Sequence, residues 1–179
     1  MSPNRATVDR ASARDGSLFA TRNSLPEDAR RQVAELLNRR LADAVDLETQ
    51  CKQAHWNVRG PQFIGLHKLF DEVHEAVIEY TDLIAERIVQ LGAVARGTAR
   101  DAAEQSEVDE YPHSIASGED HAKALSSALA GFAGRMRFAI AETDELEDPV
   151  TADLCTEVSR GTDKWVWMIE AHVQGEAKR

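Results

Sequence analysis

The 179-residue chain predicts an all-α fold, a four-helix bundle with one long crossover between its second and third helices. Three observations carry this reading. Apolar residues recur at steps of three, four or seven in four separate stretches, as they do in helices that bury one face. No stretch alternates apolar and polar residues as a half-buried strand would. The segment from Gly97 to Gly118 is too long for a featureless loop in a compact domain, so it is expected to hold a short element of its own.

Residues 1–23 are rich in Ser, Ala and Arg, lack an apolar period and read as a mobile tail. Arg5, Arg10, Arg14 and Arg22 against Asp9 and Asp15 leave it mildly basic. The bundle is expected over 24–175, with 176–179 as a short end that carries Lys178 and Arg179. In "SLPE", Ser24 and Glu27 make a capping-box pattern, with Pro26 in the first turn. Val33, Leu37, Leu41, Ala44, Cys51 and His55 then mark one face of a long helix that ends at Gly60-Pro61. A second helix runs from about Phe63 to Leu91, with Leu66, Phe70, Val73, Val77, Leu83 and Ile84 as its stripe and Gly92 or Gly97 as its stop. "ARDAAEQ" is the short helix expected in the crossover. Ser117, with Asp120, caps a third long helix marked by Ala122, Leu125, Leu129, Phe132, Met136 and Ile140. Asp148-Pro149 opens a fourth, marked by Leu154, Val158, Trp165 and Ile169.

Composition narrows the function. A net charge of -10 argues against broad nucleic-acid binding by the body of the protein and favours cations. No apolar run approaches the roughly eighteen residues needed to cross a bilayer, so no membrane partner is expected. The first residues lack the apolar core of a secretory signal. Two cysteines, Cys51 and Cys155, make no disulfide framework, and a cytoplasmic location is the expectation. Cys51 lies one turn before His55, but a small buried core residue is its ordinary role.

The residues that core packing does not ask for are His55, His67, Asp71, Asp82 and Glu86. The last four fall within roughly 100° of arc on the second helix, hence on one face. His67 and Asp71, and Asp82 and Glu86, are each one-turn neighbours able to grip one ion. Asp71 and Asp82, however, lie about 16 Å apart along the axis at a rise of about 1.5 Å per residue. Ligands of one ion sit about 2.0–2.2 Å from it, so the pairs cannot meet within one chain. Either each chain has two sites or a second chain supplies the other half. An antiparallel, two-fold-related helix would set Asp82 and Glu86 of one subunit against His67 and Asp71 of the other, with His55 joining its own His67. The geometry thus predicts a metal site shared across a dimer interface. Two imidazoles with three carboxylates suit iron, manganese or zinc and lack the thiolates of a structural zinc site. An in-chain di-iron site needs Glu-x-x-His motifs on bundle helices; the one such spacing, Glu110 to His113, has Pro112 inside it. Each residue also has an ordinary reading, since buried histidines are usually satisfied core residues and acidic pairs usually face solvent.

"HWNVRGPQFIGLHKLFDEV" followed by "DLIAERIVQLGAVARGT" resembles the Dps family, the DNA-protecting mini-ferritins of starved bacteria. The match continues through "YPHSIASGEDHAKAL" and "VTADLCTEVSRGTDKWVWMIEAHV", covering roughly Leu36 to Val173. The resemblance implies a ferritin-like bundle in a dodecameric hollow cage with two-fold and three-fold interfaces. It implies a ferroxidase that oxidises Fe(II) with hydrogen peroxide, or with oxygen, and stores the ferric product. Its ligands would be His55, His67 and Asp71 of one subunit with Asp82 and Glu86 of the two-fold mate, and zinc or another divalent metal could occupy the same set. Trp56 would be the aromatic beside the site that intercepts stray oxidising equivalents; its ordinary reading is interface packing. The acidic run "ETDELEDPVTADLCTE" matches the family's iron-entry pore at the three-fold axis, with Asp148, Asp153 and Glu157 as lining candidates. For Asp148 the helix N-cap weighs equally. DNA binding in the family depends on basic termini; here it would rest on Arg5, Arg10, Arg14 and Arg22 and be sensitive to salt. Two alternatives stand beside the peroxide-consuming cage: a nucleoid-coating protein with little ferroxidase activity, and a plain ferritin working with oxygen.

Overall fold

A computed structural model describes residues 17–174. Among the described residues five helices follow in order: α1 (Glu27–Asn57), α2 (Phe63–Gln90), α3 (Ala99–Gln105), α4 (Gly118–Glu145) and α5 (Pro149–Glu170). Among the described residues no strand forms, apart from an isolated bridge between Arg59 and Ser117. The four long helices are the expected bundle, and α3 coincides with "ARDAAEQ", closed at its start by a Thr98/Asp101 capping box.

The core is the apolar stripe of each long helix. Leu37, Leu41, Leu47, Leu66, Phe70, Ile84, Ile88, Leu125, Leu129, Phe132 and Met136 are fully buried. Leu83 departs from the expected stripe and is partly exposed, because it lies at the edge of the arc that Val73, Val77 and Ile84 define. The start of α1 also departs from expectation. Pro26 takes the N-cap and no side chain caps the helix, so the Ser24/Glu27 box does not form. Instead the Leu25 N–H bonds the Asn23 side chain at 2.9 Å, and Arg30 donates to the carbonyls of Leu25 and Leu91. The Phe19 N–H bonds the Gly92 carbonyl at 2.7 Å, tying the chain that precedes α1 to the end of α2. Gly92 stops α2 with φ +89°, and a Cβ there would lie 2.6 Å from the Phe19 carbonyl.

α1 lies along α2, α4 lies along α5, and α1 packs on α4. Since α2 ends beside the start of α1 while α4 begins beside Arg59, the connection has to run the length of the bundle. A row of polar side chains on α1 holds it there. Asn38 donates to the Val94 carbonyl and accepts from the Arg96 N–H. Asp43 accepts from the Glu107 N–H, Ser106 donates to Asp46, and Gln50 donates to the Asp109 carbonyl. Arg40 pairs with Glu107. Burial pushes the Asp43 carboxyl above its ordinary pKa, against the Glu107 N–H, Arg40 and Arg135, which favour its charge.

A second buried ion pair closes the other side. Arg87 of α2 reaches both carboxylate oxygens of Asp148 at 2.9 and 3.0 Å and donates to the Thr151 hydroxyl. Removing one partner leaves a desolvated charge, so Arg87→Leu is expected to lower the stability of the chain by about 3–5 kcal/mol in urea denaturation.

Candidate metal centre

The last turn of α1 lies against the first turns of α2, and two histidines clasp the pair. His55 Nδ1 is 2.7 Å from the His67 carbonyl, and His67 Nδ1 is 2.8 Å from the His55 carbonyl. A carbonyl only accepts, so both Nδ1 atoms carry the proton and both Nε2 atoms keep their lone pairs. The two rings stack with centroids 3.7 Å apart and 22° between planes, and the Phe63 ring packs on His67 at 5.0 Å. Two imidazoles are thereby fixed in one tautomer, with Nε2 as the nitrogen able to accept a proton or a metal.

Asp71 stands beside them, its Oδ1 3.8 Å from His55 Nδ1. The same oxygen accepts from Lys52 Nζ at 2.6 Å. That hydrogen bond, together with the Lys52 charge, holds the Asp71 carboxyl below its ordinary pKa. Lys52 was not singled out from the sequence. The available signal was its position three residues before His55, which turns it to the face that meets α2.

Asp82 and Glu86 lie exposed, farther along the same helix, and do not reach the histidines. Among the described residues no three His, Cys, Asp or Glu side chains of one chain converge as a metal-holding group. The face of α2 that carries these residues also exposes Ile64, Ile78 and Val89. Trp56 is 68% exposed and lines a cleft of about 520 Å³ between α1 and the crossover.

The remaining site candidates are scattered. Asp148 departs from the pore expectation. It is 1% exposed, is held by Arg87 and accepts from the Thr151 N–H as the α5 N-cap, so it faces protein rather than water. Asp153 and Glu157 are exposed one turn apart on α5. Arg22 is exposed, while Arg5, Arg10 and Arg14 lie outside the described residues. Cys51 and Cys155 are both buried; burial pushes the Cys51 thiol up and raises that of Cys155 to about 12. Among the described residues no helix is long and apolar enough to cross a membrane.

A family model described as a ferritin-like domain matches residues 34–177. The chain is 43% identical over 154 residues to the DNA protection during starvation protein of Agrobacterium fabrum, covering 86% of this chain and 95% of that one. Its fold superposes on Mycobacterium smegmatis Dps in a tetragonal form with a TM-score of 0.84 at 31% identity, covering 89% and 98% of the two chains. Dps from Microbacterium arborescens in its high iron form gives a TM-score of 0.77 at 32% identity, covering 88% and 99%. The chain belongs to the Dps family, within the ferritin-like proteins.

A cation drawn to the Asp71 carboxylate has to compete with Lys52 for it. An exposed pair of this kind is worth less than about 1 kcal/mol, so Lys52→Met is expected to tighten Co(II) or Zn(II) binding about twofold to fivefold in titration calorimetry.

Proposed function

We propose that the chain is an iron-oxidising and iron-storing subunit whose ferroxidase centre is shared by two copies. The observation that carries this reading is the His55/His67 clasp, which leaves both Nε2 lone pairs free of the clasp and sets the His55 ring within 3.8 Å of Asp71. Spacing on α2 supplies the rest. Ile64 with Val89, His67 with Glu86, and Asp71 with Asp82 are pairs with a common midpoint between Ala76 and Val77. A two-fold axis at that midpoint sets each residue against its counterpart on an antiparallel α2. Exposed Ile64, Ile78 and Val89 then bury one another, while Asp82 and Glu86 complete the partner's set. In this arrangement the carboxylates bind Fe(II) as substrate and favour the more highly charged Fe(III), and the histidines hold position. Two Fe(II) ions supply the two electrons that convert one hydrogen peroxide, with two protons, into two waters.

In a dodecameric cage, Asp153 and Glu157 are the residues left to line the three-fold entry, each repeated three times around it. Family membership also brings DNA protection into view. Sequestering iron and consuming peroxide would protect DNA without contact. The tail arginines would add weak phosphate contacts that multiply in an assembly, against a net charge of -10 per chain. In a gel shift, retardation of duplex DNA is expected at low salt and is expected to vanish near physiological salt. Tight binding at physiological salt would favour the nucleoid-coating alternative.

Complementation tests the shared centre. Subunits carrying His55→Ala and His67→Ala, and subunits carrying Asp82→Asn and Glu86→Gln, should each be inactive in anaerobic Fe(II) loading followed by peroxide. Co-assembled at equal amounts, they should recover roughly a quarter of the parent sites, because each mixed dimer rebuilds one intact centre. No recovery in a well-formed mixed assembly would place the ligands within one chain.

A further inference from the structure

Phe19 precedes α1 and is 69% exposed, yet its backbone is held in place. Its N–H bonds the Gly92 carbonyl, and its own carbonyl leaves no room for a Cβ at position 92, so the contact requires glycine. Arg30 ties the start of α1 to the same turn through the Leu91 carbonyl. The ring is not an isolated apolar group at the surface. With Val89 and Val94, each more than half exposed, Phe19 lines a groove of about 550 Å³ at the end of α2. A second cleft shares Val89, Gln90 and Ala95 with this groove and runs on to Glu86. The groove therefore opens on the face of α2 that carries the acidic pair, and nothing in the chain covers it.

We propose, resting on the two-fold arrangement above, that this groove seats the start of α2 of a second copy, with Phe19 against the partner's Phe63. The midpoint between Ala76 and Val77 sets Gln90 opposite the partner's Phe63 and Gly92 opposite the partner's Pro61. Phe19 is bonded to Gly92, so it is carried to the same place. The two surfaces match in size. Phe63 and Ile64 are 42% and 60% exposed, and Phe19 with Val94 expose a comparable amount. Each pair offers on the order of 200 Å² of apolar surface. The two-fold repeats the contact, which then buries on the order of 800 Å², about half of the about 1,600 Å² of a standard stable interface. Helices that cross at about 20° separate toward their ends, and filling that gap takes bulky side chains such as Phe19 and Phe63. Phe63 in turn packs on His67, so the groove holds the partner beside its clasped histidines. The chain leading into α1 is thereby part of the contact between copies rather than a mere approach to the bundle.

Cross-linking of the full-length, metal-free protein tests the seat. Cys51 and Cys155 are buried, so thiols introduced at exposed positions are the ones that react. Within one chain Phe19 and Phe63 lie at opposite ends of α2, about 40 Å apart, beyond the reach of a short bismaleimide. Phe19→Cys combined with Phe63→Cys is expected to give a covalent dimer on a denaturing gel, while each single variant runs as a monomer. A two-fold contact is closed, so the product should stop at the dimer; a ladder of trimers and larger species would reveal a head-to-tail contact and overturn the proposal. Val89→Cys combined with Ile64→Cys reads the two-fold arrangement by itself. A dimer from that pair, with none from Phe19→Cys and Phe63→Cys, would overturn the seat and leave the two-fold arrangement standing. No dimer from either pair would overturn both.

Discussion

The reciprocal bond between His55 and His67 is the constraint on which the site and the hairpin that carries it both depend. α1 ends at Asn57, so the His55 carbonyl belongs to the last turn, whose oxygens have no partner within the helix. His67 Nδ1 satisfies it. The His67 carbonyl lies inside α2 and has a second lone pair for His55 Nδ1. Sliding one helix past the other by a turn would break both bonds together, so the clasp fixes register as well as tautomer. Helix termination and the orientation of the two imidazoles are thus one structural solution, which accounts for two histidines in otherwise apolar helical sequence beside a Gly-Pro break.

The crossover imposes the second constraint. An antiparallel α1–α2 hairpin returns the chain to the start of α1, whereas α4 has to start at the other end. A connection lying along the bundle brings backbone N–H and C=O groups out of water, and each needs a partner. Asn38, Asp43, Asp46 and Gln50 supply such partners from one helix. Their burial explains why α1 is less apolar on its inner side than α2, and why a desolvated Asp43 is retained between Arg40 and Arg135.

What the sequence made legible follows from which forces act locally. The apolar period located all four long helices, and α3 was legible because the gap was too long to stay unstructured and its residues are helix formers. The positions of His67, Asp71, Asp82 and Glu86 on one face came from helix geometry alone, and so did the impossibility of joining them in one chain. Three features were not local. Ser24 lost the cap because Asn23 and Arg30 organise that turn, and Arg30 is anchored on Leu91 from another helix. Asp148 satisfied two equally good local readings, and only the approach of Arg87 decided between them. Lys52 acquires meaning only once α2 carries Asp71 past it.

The crossover also organises the end of the bundle that carries His55 and His67. Its far end delivers Tyr111 to His121, and the bridge from Arg59 to Ser117 holds the start of α4 against the end of α1. Gly118 makes that approach feasible, since a Cβ there would stand 2.7 Å from Leu66, the neighbour of His67. Leu66 is fully buried, so it has little room to yield. The same close contact that packs the α2 start against α4 therefore sets the clasped histidines and the tyrosine–histidine pair at one end of the bundle. In this chain the path of a connection, rather than any helix, brings the buried Tyr111–His121 pair to the same end of the bundle as the candidate metal ligands.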